Sequence, residues 1–135
     1  MKTKPVLELA DVKAILNAAE AEAAKNNWIV SIAVVDDGGN LLGMIRRDGA
    51  APVSAHICVA KARTSALGRR ESKGFEDMIN GGRTAFLSAP LIDGMLEGGV
   101  PVIKDGECIG AVGVSGVKAP EDAQIAKAGI AALGL

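Results

Sequence analysis

From Leu9 to Asn26 the apolar positions Leu9, Val12, Ile15, Leu16, Ala19 and Ala23 recur at helical spacing in a segment rich in Ala and Glu, which predicts an amphipathic helix. The period then changes. Trp28 to Val35 is apolar and β-branched, Asp36-Asp37-Gly38-Gly39-Asn40 is a run of turn formers, and Leu41 to Ile45 is apolar again, so a β-hairpin is predicted. Pro52 suits the first turn of a second helix reaching about Leu67. Gly68 to Ala89 carries a weaker pattern: a polar charged piece, a short helix around Phe75 to Ile79, and a break at Gly81-Gly82. Val100 to Ile103, the Asp105-Gly106 turn and Cys108 to Val114 predict a second hairpin, its last strand spaced by Gly110 and Gly113. Pro120-Glu121-Asp122 opens a final helix through Ala126 and Ile130, with acids where the helix dipole favours them.

Two hairpins separated by helices predict an α+β domain, an antiparallel sheet covered by helices rather than a parallel Rossmann sheet. Gly110, Gly113 and Gly116 are spaced GxxGxxG, and neither GxGxxG nor the Walker pattern occurs. At 135 residues, 49% hydrophobic and 23% charged, the chain is one domain, residues 1–135, with material for a core. Seventeen glycines are about twice the usual share, which points to tight turns and close backbone approaches.

Composition also narrows function. With no Tyr, one Trp (Trp28), two Phe (Phe75, Phe86) and a net charge of −1, the chain lacks both the stacking platforms and the basic footprint of a nucleic-acid binder. Cys58 and Cys108 show no CxxC spacing and read as small core residues rather than a disulfide or zinc framework. The stretch Met1-Lys-Thr-Lys-Pro-Val-Leu-Glu has no apolar run, and charged residues or glycine interrupt every later one. A cytoplasmic protein with no membrane segment is expected.

Charge is uneven along the chain. Arg46 to Arg83 holds eight basic and four acidic residues, so a local excess of guanidinium groups lies beside glycine-rich loops and suits a carboxylate or phosphate ligand; solvated helix faces are the competing explanation. His56 is the only histidine, and any general-base or haem-ligand role for imidazole falls to it. On the second helix His56, Ala60, Arg63 and Leu67 form one stripe, with His56 and Arg63 about 10 Å apart along the axis. A haem could be ligated by the first and its propionate met by the second. Cys58 lies nearly opposite His56, so the two cannot share a metal from that helix, and no metal site on the protein alone is expected. Ser115 or Cys58 with His56 gives a nucleophile arrangement only on paper, without a recognisable motif. Asp36 and Asp37 read as turn chemistry. Glu71 and Glu76 flank a basic stretch and are either salt-bridge partners of Arg69, Arg70 or Lys73 or, with His56, candidate catalytic acids and bases.

Several segments taken in order carry a family resemblance: Ile32-Ala-Val-Val-Asp-Asp-Gly-Gly-Asn-Leu, Arg47-Asp-Gly-Ala, Ala60-Lys-Ala-Arg-Thr-Ser, Gly98-Gly-Val-Pro-Val, Ile109-Gly-Ala-Val-Gly-Val-Ser-Gly, Glu121-Asp and Ala126-Lys-Ala-Gly. From about Leu7 to Leu133 the chain resembles the GlcG/HbpS family. The resemblance implies a three-layer α/β/α, profilin-like domain with an antiparallel sheet of about five strands, assembled into homo-oligomers. Some family members, among them haem-sensing proteins and the C-terminal domain of PduO-type proteins, bind haem.

The segment from Leu67 to Phe86 is similar to a subgroup found beside aromatic-degradation enzymes, which implies a small anionic ring-cleavage product as another ligand. Arg63, Arg69 and Arg83 would then be the anion clamps. The leading expectation is a small-ligand-binding protein with haem as ligand or cofactor, His56 as axial ligand and part of the pocket supplied by a second copy. The alternatives are an enzyme, such as a hydrolase acting on a small carboxylate of aromatic catabolism through Glu71, Glu76 or His56, and an interaction protein with no small ligand.

Overall fold

The computed structural model describes residues 1–135. In chain order the elements are α1 (Leu9–Lys25), β1 (Ser31–Asp36), β2 (Leu41–Arg46), α2 (Pro52–Gly68), α3 (Ser72–Asn80), a 3₁₀ turn (Thr84–Ser88), β3 (Gly99–Lys104), β4 (Glu107–Ser115) and α4 (Ala119–Ala131). The four strands form one antiparallel sheet in the order β2-β1-β4-β3. Both hairpins lie where the alternation puts them, and β1 joins them by pairing with β4.

The sheet has four strands where the family resemblance implies about five. Gly81 to Gly98, the segment between the predicted elements, forms the 3₁₀ turn and irregular loop and adds no strand. Trp28 to Val30 also lies outside β1: Asn27 has φ +57° and Trp28 N–H donates back to the Ala23 carbonyl at 2.8 Å, so the chain is still leaving α1.

α1 and α4 cover one face of the sheet. Their Val12, Ile15, Leu16, Ala19, Ile125 and Ala126 meet Ile32 and Val34 of β1 and Val112 and Val114 of β4 in the main core. The opposite face is built from small residues: Val35 and Ala111 of the sheet meet Ala62 and Ala66 of α2. Strand alternation sends Ile32 and Val34 to the first face and Ser31, Ala33 and Val35 to the second, where Ser31 Oγ lies 2.8 Å from Ser54 Oγ of α2.

α2 lies unusually close to the sheet because glycine faces it. A Cβ at Gly113 would overlap the Cys58 carbonyl, and one at Gly94 would overlap the Ala60 peptide. Gly113→Ala is therefore expected to push α2 outward and lower the unfolding free energy by about 1–3 kcal/mol in urea titrations. An unchanged midpoint would show that the helix can shift freely.

Glu121 and Asp122 lie in the first turn of α4 as the sequence predicts, and Asp122 is buried there, its Oδ2 3.0 Å from Lys61 Nζ and its Oδ1 accepting from Val117 N–H at 3.2 Å. Lys61 Nζ also donates to the Val114 carbonyl at 2.9 Å. This pair ties α2 to the start of α4 past the end of β4.

Candidate functional site

α2 carries most of the sequence-marked chemistry, and its buried side is fixed by polar groups. Ser54 Oγ donates to the Ala51 carbonyl at 2.6 Å, Gly94 N–H donates to Thr64 Oγ1 at 3.0 Å, and Ser65 Oγ donates to the Arg70 carbonyl at 2.7 Å. Lys61 adds the ion pair with Asp122. With that side held, His56, Ala60, Arg63 and Leu67 are left on the outer stripe, and none of the four is fully buried.

The stripe lies opposite the buried side of α2, and only its C-terminal members, Arg63 and Leu67, reach the turn that leads into β2. Gly39, at φ +79° in the β1–β2 turn, sits beneath them: a Cβ there would lie 2.8 Å from Arg63 Cγ and 3.5 Å from Leu67 Cγ. A non-glycine residue at this position would be strained in φ and would collide with Arg63.

β2 is an edge strand, and its α2-side face is left open. Met44 pairs with Ala33, so it points to the α2 side and is only half-buried. Leu41, opposite Val35, and Leu42, the residue skipped where the β1–β2 register shifts, are 50% and 38% exposed, and Val53 at the start of α2 is 57% exposed.

The polar groups of the outer stripe lack partners. His56 is exposed and makes no hydrogen bond, and Arg63 is half-buried with no carboxylate in ion-pair range. Helical rise places them about 10 Å apart.

The other sequence-marked residues gather elsewhere. Arg69 caps the C-terminus of α2 with φ +54°, about 20 Å of helix from His56. Arg83 stacks over Phe86 at 5.4 Å, and Phe86 meets Phe75, which packs at Gly68. Glu71 pairs with Lys127 at 3.5 Å rather than with an arginine, Lys73 pairs with Asp77 at 2.7 Å, and Arg70 lies over the Phe75 ring at 4.8 Å. Glu76 is on α3 with them. The structure thus brings together His56 and Arg63 and leaves Arg69, Arg83, Glu71 and Glu76 at the far end of α2.

The nucleophile candidates are placed as follows. Burial pushes the Cys58 thiol up to about 12, and its Sγ donates to the Ala55 carbonyl at 3.3 Å, so no thiolate is available at neutral pH. Ser115 is buried at the end of β4. Asp36 Oδ1 accepts from Gly38 and Asn40 N–H, both at 2.9 Å, which is turn chemistry.

Two concavities mark the surface, about 430 Å³ beside α1 and about 230 Å³ between the N-terminal segment and the C-terminal leucines. His56 lines neither. No group of three or more His, Cys, Asp or Glu side chains converges, and no helix is long and apolar enough to cross a membrane.

The sequence reading missed the Lys61–Asp122 pair. A signal was present: Ser54, Cys58, Lys61 and Ser65 are spaced at 4, 3 and 4, so Lys61 lies on the small-residue stripe of α2 and not on the charged one.

A four-stranded antiparallel sheet between two helical layers, with an exposed imidazole and an unpaired guanidinium on the outer helix face, makes a small α/β/α scaffold. The chain belongs to the HbpS-like family: the family described as haem degrading protein HbpS-like matches residues 7–131. It is 61% identical over 115 residues to Protein GlcG of Escherichia coli, covering 85% of each chain. Among solved structures it is similar to HbpS of Streptomyces reticuli, a double mutant, with TM-score 0.90 and 32% identity over 100% of this chain and 92% of that one. It is also similar to PduOC solved as a complex with haem, with TM-score 0.83 and 26% identity over 95% of each chain.

Proposed function

We propose that this chain is a small-ligand-binding protein that takes haem on the α2/β2 face, with His56 as axial ligand, Arg63 as partner of a propionate, and a second copy of the chain completing the enclosure. The observation that carries this reading is the alignment of an unpartnered imidazole and an unpaired guanidinium on the outer stripe of α2, with Arg63 against the turn that leads into the uncovered strand β2. The haem complex of PduOC and the family description support the choice of ligand.

The residues fit haem in chemistry. His56 supplies the imidazole, Leu42, Met44 and Val53 supply apolar surface, and Arg63 supplies a fork for a carboxylate. They do not enclose it within one chain, since neither concavity includes His56. The exposed leucines of the β2 edge favour a second copy as the missing wall. Bound haem would supply the iron chemistry, and the part of His56, Arg63 and the apolar residues around them would be to bind, orient and shield it. No comparable observation favours a hydrolase, because Glu71 is engaged by Lys127 and Glu76 lies with it at the opposite end of α2 from His56.

The test is titration of the purified protein with hemin, where a Soret band saturating at a defined stoichiometry is expected. Arg63→Lys keeps the charge and loses the fork, so affinity falls; Arg63→Ala lowers it further, by about 1.5–3 kcal/mol in binding free energy. Because Arg63 pairs with no acid, both variants keep their melting temperature close to that of the parent. Full hemin affinity in Arg63→Ala would end the clamp role of this residue, and an unsaturable, featureless titration would end the haem reading.

A further inference from the structure

The larger concavity, about 430 Å³, lies away from the His56 face, between α1 and the end of β2 with the loop that follows. Glu20 comes to it from α1, and Arg46, Arg47 and Asp48 from β2 and the loop. Ala21 and Ala24 keep the helix side small and apolar. Its volume is within the range of small-molecule sites, roughly 300–1,000 Å³.

Two features separate this cleft from an ordinary charged surface. The first is how its arginines are held. Arg46 donates from Nε and Nη2 to the Ala50 carbonyl at 3.2 and 3.0 Å, and Arg47 donates from Nη1 to the Trp28 carbonyl at 2.8 Å. Backbone carbonyls orient both guanidiniums, so their full positive charge is retained and further N–H groups stay free for a ligand. The Arg47 backbone is itself pinned, its N–H donating to the Val30 carbonyl at 3.1 Å.

The second feature is that the acids are unused. Neither Glu20 nor Asp48 forms an ion pair, and neither does Arg47, whereas the pairing of Arg46 with Ser31 sends the Arg46 side chain to the α2 side. An anion entering here would meet two carboxylates, and a cation would meet the Arg47 guanidinium. A neutral molecule bearing one charge of each sign avoids both penalties.

We propose that the α1/β2 cleft binds a small zwitterion of the α-amino acid class, its carboxylate toward Arg47 and its ammonium toward Glu20 and Asp48. This site is separate from the haem face and does not depend on it.

The experiment is a titration of the isotope-labelled full chain followed through its backbone amide resonances, with L-alanine and L-glutamine as ligands and propionate and ethylamine as single-charge controls. Saturable shifts confined to residues 17–24 and 46–48 are expected for the two amino acids, with the controls at least about tenfold weaker. Glu20→Gln and Arg47→Gln are each expected to weaken amino-acid binding at least about tenfold, and His56→Ala is expected to leave it unchanged. Should Arg47→Gln fail to fold for want of its bond to Trp28, Glu20→Gln decides alone, since Glu20 has no partner to lose. Absence of saturable shifts with either amino acid at millimolar concentration, propionate binding as tightly as L-alanine, or full affinity in Glu20→Gln would each overturn the proposal.

Discussion

Lys61→Met is expected to lower the unfolding free energy by about 3–5 kcal/mol, the largest stability loss from any single side chain of α2. The reason is what remains after the change. Asp122 is buried, and its burial raises its carboxyl above the ordinary range even though Lys61 Nζ, 3.0 Å away, pulls it down. The ion pair therefore offsets a desolvation penalty instead of adding net stability. Removing the ammonium leaves that penalty uncompensated and strips the Val114 carbonyl of a donor. Because a raised carboxyl pKa means the folded state holds the proton more tightly than the unfolded chain, the contribution of Asp122 favours folding at low pH and is lost as pH rises from the unfolded value through the folded one. In Lys61→Met the destabilisation is accordingly largest at neutral pH and shrinks as the solution is acidified. The double variant Lys61→Met/Asp122→Leu is expected to lose less than the sum of the two single changes in urea unfolding. Additive losses, or a loss below about 1 kcal/mol for Lys61→Met, would contradict this account of the pair.

The second large effect concerns His56. On the proposed reading, His56→Ala removes the only imidazole in the chain, and the hemin affinity falls at least about a hundredfold, beyond the 10- to 100-fold typical of losing a group that merely supports a metal ligand. The Soret band shifts or disappears, and imidazole added to the solution restores it. The fold is untouched, since the side chain is exposed and makes no hydrogen bond, so circular dichroism and melting temperature stay at parent values. An identical spectrum and affinity in His56→Ala would remove this residue from the site.

The elements were legible wherever one period dominated. α1 shows its buried Val12, Ile15, Leu16, Ala19 and Ala23 directly in the sequence, and β1 and β4 are continuous apolar runs because helices cover both of their faces. α2 is different. Its buried side is Ser54, Cys58, Lys61, Ala62, Thr64, Ser65 and Ala66, residues whose polarity suggests solvent, and they are buried because glycines of the sheet and loop let the helix backbone approach and satisfy them. The outward stripe from His56 to Leu67 could still be read, since helical spacing needs no knowledge of the opposite side. The openness of β2 could not be: Leu41, Leu42 and Met44 look like core until the sheet order places them at an edge. The α1/β2 cleft was hidden for a related reason, because Glu20 and Arg47 are separated in sequence and meet only when β2 runs back past α1. The resemblance to a known family carried the layer order correctly and overstated the strand count by one.

The proposed haem face between α2 and β2 is tested most directly by where hemin lands. Substoichiometric ferric hemin added to isotope-labelled protein broadens the amide resonances nearest the iron. The account predicts broadening centred on residues 41–44 and 53–63, with the α1/α4 face and residues 71–83 spared, and the same pattern lost in His56→Ala. Broadening centred on α1 and α4, on the far end of α2, or spread evenly over the chain would contradict it.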